Sequence, residues 1–467
     1  MKKICASVTV FLALSLETFI LLILTLLFLC IRNGEYVRFE TAVDVSMNSV
    51  LGEYCRALFD EFGLIYIDTS YLGGAPGIER TENRIDFYLR KNTTEVYEEN
   101  NGPWGKISPQ KVVITDFRAA TAGNGKSFRN QISQYGQRVG FSPESQYSVG
   151  AASDAGAENI ELIDFFEYWN GIKETLIGME KPKKKDPITG IESEVDVDDP
   201  ADLVFGMLGN DVPVLSEIET GSISGSFANV EELISNREKL NTDNGPVSDG
   251  NREDFLKYLS DFFGCYQKES EKRLLKYELE YILYGFGVDS QNMQAAFDDI
   301  FRIRLTDNFN AVNSNSEIGN RAKQIAEGLE ICTLDSKFIE PITESIICGA
   351  VFLESVADMK MLAHGEKVAF HKGGVAVKVE NVLSGTVPSG LQQGGLSYKE
   401  YLLVLLMQRD ITELSYRMMD VMELNVRKQT ENPDFSMDWC IERITARLIG
   451  FGSQKNQMQV NRIYGFY

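Results

Sequence analysis

The chain has 467 residues and a formal net charge of −22 at pH 7. So negative a field repels phosphate backbones, which argues against nucleic-acid binding. Seven cysteines without a C-x-x-C pair argue against a disulfide framework and a zinc site. Five cysteines lie beyond the N-terminal segment: Cys55, Cys265, Cys332, Cys348 and Cys440. The stretches GEYCRALF, FFGCYQ and SIICGA around Cys55, Cys265 and Cys348 look like apolar helices, where we expect buried free thiols.

An apolar run, ASVTVFLALSLETFILLILTLLFLCIR, opens the chain and holds one carboxylate, Glu17. As a helix, residues 6–31 extend about 39 Å, against a hydrocarbon core of about 30 Å. The run is longer than the apolar region of a secretion signal, and the residues before Cys30 are too bulky for signal cleavage or for lipidation. The segment is therefore predicted to be an uncleaved transmembrane anchor.

Glu17 opposes membrane insertion by roughly 3 kcal/mol. Seventeen Leu, Ile, Phe and Val side chains in the run together favour insertion by about 5 to 10 kcal/mol, so the helix still inserts. Two interpretations of Glu17 stay open. The helix can slide until Glu17 nears the cytoplasmic interface, or Glu17 can join a polar stripe that hydrogen-bonds a partner helix in the membrane. That stripe would consist of Ser7, Ser15, Glu17, Thr18 and Thr25.

Charge sets the expected orientation. Lys2 and Lys3 hold residues 1–5 in the cytoplasm, so the chain after the anchor lies outside the cell membrane, in a single-pass topology. This extracytoplasmic part carries a net charge of about −24 and is long enough for two or three domains.

The anchor helix is predicted to continue as an amphipathic extension over residues 33–63, because apolar residues recur every three or four positions. They are Phe39, Val43, Met47, Val50, Tyr54, Leu58 and Phe62. Residues 64–180 form a mixed α/β segment, with a strand at KVVITD from Lys111 and a helix over 159–180. Residues 181–250 are a loop-rich linker region that contains a basic and then an acidic run.

Residues 251–467 are predicted to form a mainly helical domain. Asn251 can cap a first helix, and Ser397 with Glu400 and Asp410 with Glu413 resemble capping boxes. Alternating apolar residues around GG predict a hairpin near 366–380. The predicted fold class is thus α+β, mainly α: a long transmembrane and amphipathic helix, a mixed segment with a small sheet and a largely helical C-terminal domain.

Three motifs suggest chemistry and fail on inspection. Gly125-Lys126-Ser127 ends like a phosphate-binding loop, but the first glycine of that motif is replaced by Ala120. The acidic stretch from Asp196 to Asp202 lacks the glycine and glutamate of a calcium loop, and Asp199 reads better as a helix cap. The two histidines, His364 and His371, have no nearby cysteine pair and no nucleophile elbow. We therefore expect no catalytic residue, nucleotide, metal or other cofactor.

Several segments resemble, in order, a family of uncharacterised membrane-anchored proteins of Gram-positive bacteria, related to the TadE/TadG-like minor pseudopilins of the tight-adherence (Flp) pilus system. The segments are the apolar run, EYCRALFDEFGLIYID, YELEYILYG, VFLESVADMKMLAHGEKVAFHK, LSYKEYLLVLLMQRD and RMMDVMELNVR. The resemblance implies a non-enzymatic subunit or accessory protein of a pilus or secretion assembly. One departure is that cleavage after Ala6 would place Phe11, not the usual glutamate, at mature position five.

Two functions follow as expectations. The first is a pilus-assembly component whose anchor packs with other pilin-like or Tad-system membrane proteins in the lipid bilayer. The alternative is a stand-alone cell-surface adhesin or ligand-binding ectodomain on a signal anchor. The sequence leaves open what the ectodomain binds, whether the anchor is cleaved, how the cysteines pair and the oligomeric state.

Overall fold

A computed structural model describes residues 2–95, 106–155, 161–188, 190–208, 223–241, 246–372, 377–388, 394–453 and 455–466. The described chain is mainly helical with two small sheets, which confirms the predicted α+β, mainly α class. In chain order the elements are α1 (Lys2–Leu51), α2 (Arg56–Phe62), β1 (Ile67–Asp68), α3 (Ile78–Arg90), β2 (Ser108–Ala119), α4 (Ala122–Arg138), α5 (Pro143–Asp154), α6 (Phe165–Gly178), β3 (Lys183–Lys185), β4 (Glu192–Glu194), α7 (Pro200–Leu208), α8 (Arg252–Phe262), α9 (Glu278–Tyr284), α10 (Asp289–Asn313), α11 (Ser316–Glu327), α12 (Glu330–Leu334), α13 (Ile339–Ala363), α14 (Tyr398–Gln408), α15 (Ile411–Thr430), β5 (Cys440–Phe451) and β6 (Gln457–Gly465).

The chain folds into two compact units, each built from separate stretches of sequence. Unit 1 contains Met1–Tyr135, Arg237–Gly250 and Met422–Tyr467, and unit 2 contains Gly136–Asn236 and Asn251–Val421. The predicted division at residues 64, 181 and 251 follows the chain order, whereas the observed units are formed by segments that are distant in sequence.

Unit 1 is organised around an antiparallel sheet. Its central strand, β5, pairs with β2 along one edge, from Ser108↔Phe451 to Ala119↔Ile441. Along the other edge β5 pairs with β6 and, at Ile67↔Ile441, with the short β1. The predicted strand at Lys111 is thus confirmed as the middle of β2, and its partner comes from the end of the chain.

The second half of α1 packs in the core of unit 1. Phe39, Val43, Met47 and Val50 are buried at the three- and four-residue spacing seen in the sequence. They share one hydrophobic cluster with residues of β2, α3, β5 and β6, among them Ile85, Leu89, Val112, Ile444, Ala446, Leu448, Met458 and Val460. The amphipathic stripe of α1 is therefore the surface by which this helix packs on the sheet.

The predicted extension over 33–63 is not one continuous helix. α1 ends at Leu51, and α2 starts at Arg56 after a break in which the Cys55 amide donates to the Tyr66 carbonyl at 2.8 Å. α2 ends at Phe62 and is followed by Gly63, whose φ of 69° favours glycine, and a Cβ there would lie 2.5 Å from the Tyr135 ring. Leu58 and Phe62 are buried as the periodicity predicts, but on a separate helix.

The helices of unit 2 begin where the capping residues predict. The Asn251 side chain accepts the Glu253 amide at the start of α8, at 2.9 Å. Ser397 and Glu400 form a complete capping box at α14. Asp199 accepts the Ala201 amide at 3.0 Å, directly before Pro200 opens α7. These local hydrogen bonds satisfy amides that the first helical turn leaves unpaired.

A buried charged network joins α10, α13 and the segment that follows α13. The fully buried guanidinium of Arg304 donates from Nε to Asp358 Oδ2 at 2.9 Å and from Nη2 to Asp307 Oδ2 at 2.9 Å. Its Nη1 donates to the Phe370 carbonyl at 2.9 Å. Lys372 adds a second cation to Asp358. Charge pairing thereby fixes an irregular stretch of chain to two helices.

Two regions differ from the sequence prediction. Cys440–Phe451 and Gln457–Gly465, assigned to a mainly helical domain, form strands β5 and β6 of unit 1. The turn of the predicted hairpin near 366–380 lies at residues 373–376, outside the described residues. On either side of it, Val368 forms an isolated antiparallel bridge to Leu396, and Val379–Ser384 forms a 3₁₀ helix.

Candidate functional site

The first half of α1 is an exposed apolar surface. No residue from position 8 to position 34 is buried, and side chains such as Phe11 (72% exposed) and Leu21 (66% exposed) have no covering partner in unit 1. Among the described residues, one helix is long and apolar enough to cross a membrane, and it is α1. The described chain thus carries an N-terminal helix with the properties of a membrane anchor.

The polar residues predicted to face a partner helix are bonded locally. Ser15, Thr18 and Thr25 donate their hydroxyl hydrogens to carbonyls of α1 itself, at 3.0, 2.7 and 2.7 Å. Each hydroxyl therefore retains only its acceptor capacity for another helix. The side chain of Ser7 lies outside the described residues.

Glu17 differs from these hydroxyls. Its carboxylate is exposed on α1 and has no hydrogen-bond or ion-pair partner within the part of the chain that the structure describes. Because an unpaired carboxylate in hydrocarbon costs several kcal/mol, Glu17 is the residue of the predicted stripe with most to gain from a partner.

A tightly packed junction marks the point where α1 first contacts the rest of unit 1. Glu35 is only 3% exposed, and its Oε1 accepts the Ser453 amide at 3.1 Å and the Ser453 hydroxyl. A Cβ at Gly452 would lie 2.2 Å from Glu35 Oε2, so a larger residue there would have to displace this buried carboxylate. The turn between β5 and β6 thus closes on α1, a contact that local sequence patterns did not indicate.

Further along α1, a charge cluster forms a second connection between this helix and strand β6. Arg462 on β6 donates to Asp44 at 2.9 Å and to Glu40 at 3.1 Å. All three side chains are about one-third exposed, so water screens the pairs and each adds little free energy. The apolar cluster around Phe39 accounts for most of the attachment of α1 to the sheet.

Unit 2 contains a separate candidate site, a groove of about 660 Å³ along α6. We call it the α6 groove. Tyr168 and Gly171 of α6 form one wall, and Phe309 of α10 and Glu344 of α13 form the other. The Tyr168 and Phe309 rings meet edge to face with centroids 5.1 Å apart. This volume lies within the range of ligand pockets, about 300 to 1,000 Å³.

The α6 groove is acidic, and no basic residue lines it among those that the structure describes. Asp164, Glu167 and Glu344 contribute carboxylates, while Asp164 also caps α6 by accepting the Glu167 amide at 2.9 Å. Burial, together with the nearby charge of Glu340, raises the pKa of Glu344. Burial and then the charge of Glu344 raise the pKa of the Tyr168 hydroxyl. The groove thus combines aromatic surface with negative charge that nothing described in it neutralises.

The acidic stretch considered for calcium lines a different cavity of unit 2, of about 560 Å³. Asp196 pairs with Lys181 at 2.6 Å and Asp202 with Lys173 at 2.8 Å. Asp199 accepts the indole N–H of Trp169 at 3.2 Å and caps α7. Protein groups therefore engage these carboxylates, and the described residues contain no cluster able to hold a metal ion.

The loop that resembles a phosphate-binding motif connects β2 to α4 in unit 1. Gly123, Asn124 and Gly125 all have positive φ, so the chain turns tightly before the helix proper. The Thr121 hydroxyl donates to the Asn241 carbonyl at 2.9 Å, and Gly123 lies against Val247. Other parts of the chain thus pack against this loop, while Lys126 is exposed.

Both histidines are exposed side chains in unit 2. His364 Nδ1 lies 2.7 Å from the Lys360 carbonyl, at the end of α13. His371 Nδ1 lies 3.2 Å from Asp307 Oδ1, at the edge of the Arg304 network. Cys55, Cys265 and Cys348 are free and buried as predicted, and so are Cys332 and Cys440. Cys348 lies in α13, whereas Cys265 lies in an isolated antiparallel bridge with Lys268, not in the predicted helix.

Comparison with known proteins places the chain in one family. A family model described as a family of unknown function, DUF5702, matches residues 191–450, more than half of the chain, and the chain belongs to this family. No curated protein and no solved structure gives a significant match.

Proposed function

We propose that this member of DUF5702 is a non-enzymatic, single-pass membrane protein that works as an accessory or minor pseudopilin-like component of a pilus or secretion assembly of the tight-adherence (Flp) type. The observation that carries the proposal is the division of α1. Residues 8–34 are apolar and uncovered, whereas the rest of the helix packs on an antiparallel sheet. A membrane half followed by a half packed on a globular head is the plan of type IV pilin-like subunits.

The proposal includes a topology. Lys2 and Lys3 favour a cytoplasmic N-terminus, which places both units outside the membrane. Two cysteine variants test this in the full-length chain with Cys5→Ser and Cys30→Ser: Lys3→Cys and Asn313→Cys, the latter at an exposed position at the end of α10. A membrane-impermeant maleimide on intact cells should label Asn313→Cys, and should label Lys3→Cys only after permeabilisation. The reverse pattern would refute the topology.

The proposed assembly role includes association through the anchor. Glu17 has no partner in the described chain, so a neighbouring helix that hydrogen-bonds it would gain roughly 0.6 to 2 kcal/mol. In a Cys5→Ser, Cys30→Ser background, Thr18→Cys should crosslink to another membrane protein on oxidation. Ile20→Cys is the matched control, because it lies at almost the same depth but about 160° around the helix. Equal crosslinking from both positions would argue against a specific helix contact.

The α6 groove favours a second candidate, a stand-alone ligand-binding ectodomain that α1 merely anchors. The two functions differ in what the anchor does. A component of an assembly should co-purify from mild detergent with other membrane proteins and lose them in a Glu17→Leu variant. A stand-alone protein should stay monomeric and be unaffected by that substitution.

A further inference from the structure

The α6 groove contains an electrostatic arrangement that is unfavourable without a ligand. Glu344 is half-buried, and burial together with Glu340 disfavours its ionised form. Neither Glu344 nor Glu167 has an ion-pair or hydrogen-bond partner for its carboxylate among the described residues. A cation placed between them would replace lost hydration and lower this cost.

We propose that the α6 groove binds a basic, partly apolar peptide segment of a partner protein. A lysine or arginine side chain would lie between Glu167 and Glu344, with its aliphatic stem against the Tyr168 ring. Neighbouring apolar side chains would cover Phe309 and Pro341, which line the opposite wall.

Shape and charge both select this class of ligand. The lining residues of α6 run from Glu167 to Thr175, which is about 12 Å of helix, and Ile163 and Asp164 extend this wall before the helix begins, so the groove accommodates a short extended segment. Acidic walls exclude phosphates and nucleic acids. The groove belongs to unit 2, so the inference goes beyond the proposed function and does not depend on α1 spanning a membrane.

Gly171 provides a way to close the groove without disturbing the fold. It lies inside α6 and lines the groove, and a Cβ there would meet nothing within 4 Å. Gly171→Leu therefore fills space that a peptide would occupy, while replacing a poor helix former with a good one. Glu167→Gln and Glu344→Gln complement it by removing charge without changing shape.

The test measures fluorescence anisotropy of a labelled six-residue peptide that alternates lysine and leucine, titrated with the full chain in mild detergent. Glu344→Gln and Glu167→Gln should each weaken binding about tenfold. Gly171→Leu should abolish it, with an unchanged thermal unfolding midpoint or a slightly higher one. Glu174→Gln, an exposed position on the same helix outside the groove, should bind like the unmodified chain.

Three results would overturn the proposal. One is equal weakening by Glu174→Gln and Glu344→Gln, which would mean diffuse attraction to an acidic protein. The second is equal binding of a peptide that alternates glutamate and leucine. The third is displacement of the peptide by free lysine amide at the peptide's own concentration, which would mean a small-cation site. None of these results bears on the topology of α1, so failure here leaves the proposed function standing.

Discussion

Replacing Arg304 by methionine should destabilise unit 2 by about 3 kcal/mol. Removing one partner of a buried ion pair typically costs about 3 to 5 kcal/mol, because the remaining charge stays buried and unpaired. Here Arg304 is fully buried and contacts both Asp307 and Asp358 at 2.9 Å. Asp358 keeps Lys372 and the Asn308 amide, which donates at 3.1 Å, and this places the loss at the lower end of that range.

Urea unfolding followed by fluorescence measures this loss, since Trp169 is buried in unit 2 and reports on its packing. Arg302→Met is the matched control: the same substitution, one half-turn earlier on α10, at an exposed position. It should change the free energy of unfolding by less than about 0.5 kcal/mol. The reasoning is refuted if Arg304→Met costs no more than the control.

A second variant separates lost charge pairing from lost packing. If the pairing with Asp358 carries the effect, Arg304→Met combined with Asp358→Asn should destabilise less than the sum of the two single changes, by about 1 kcal/mol or more. Strict additivity would mean that the two side chains act independently, in spite of the 2.9 Å between them.

Three further outcomes are expected. Burial raises the pKa of Glu280 from 4.5 to about 7. The folded chain therefore keeps a proton that the unfolded chain releases near pH 4.5, which adds about 3 kcal/mol to the free energy of unfolding at low pH. This stabilisation is lost as the pH rises from 4.5 to about 7. Glu280→Gln should flatten the pH dependence in urea unfolding at pH 5 and pH 8, and parallel curves would contradict the assignment. Gly452→Ala should lower the thermal unfolding midpoint because its Cβ would strike Glu35, whereas Gly34→Ala, with open space in α1, should not lower it. Phe39→Ala should destabilise unit 1 by about 3 to 5 kcal/mol in urea unfolding followed by the fluorescence of Trp439, which stacks on Phe117 in unit 1, and a loss below about 1 kcal/mol would show that α1 does not depend on its apolar stripe.

Local signals in the sequence predicted the helices well. Side-chain caps such as Asn251 and Ser397 act within three residues of chain, so the sequence contains both the donor and the acceptor of each hydrogen bond. The stripe from Phe39 to Val50 likewise predicted which face of α1 is buried, although not what covers it.

The sheet could not be assigned from the same signals. β5 is central, yet its partner β2 is more than 300 residues away, and no local pattern specifies a pairing across that distance. A period of two was nevertheless visible, since Ile444, Ala446 and Leu448 alternate with polar residues and are buried. The prediction of a mainly helical domain over residues 251–467 did not use that signal.

For the candidate sites too, the helices could be predicted from the sequence, but the contacts between distant segments could not. The acidic and aromatic residues of α6 lie in a helix predicted from sequence, but the groove exists only because Phe309 and Glu344 come from two other helices. Glu35 was equally inconspicuous, because its burial depends on the turn at Gly452 and Ser453.

The pairing of α1 with strands from the other end of unit 1 sets the order in which unit 1 can fold during synthesis from the N-terminus. α1 is complete after 51 residues, but its buried face packs on strands that end at residue 465. Until then Phe39 and Val43 have no complete sheet to cover, whereas the apolar half of α1, under the proposed anchor role, would already be stable in lipid. A chain truncated after Thr430 should therefore still fractionate with membranes but be cleaved by trypsin within residues 33–51, where the full-length chain resists cleavage. Protection of that stretch in the truncated chain would mean that α1 does not need the C-terminal strands.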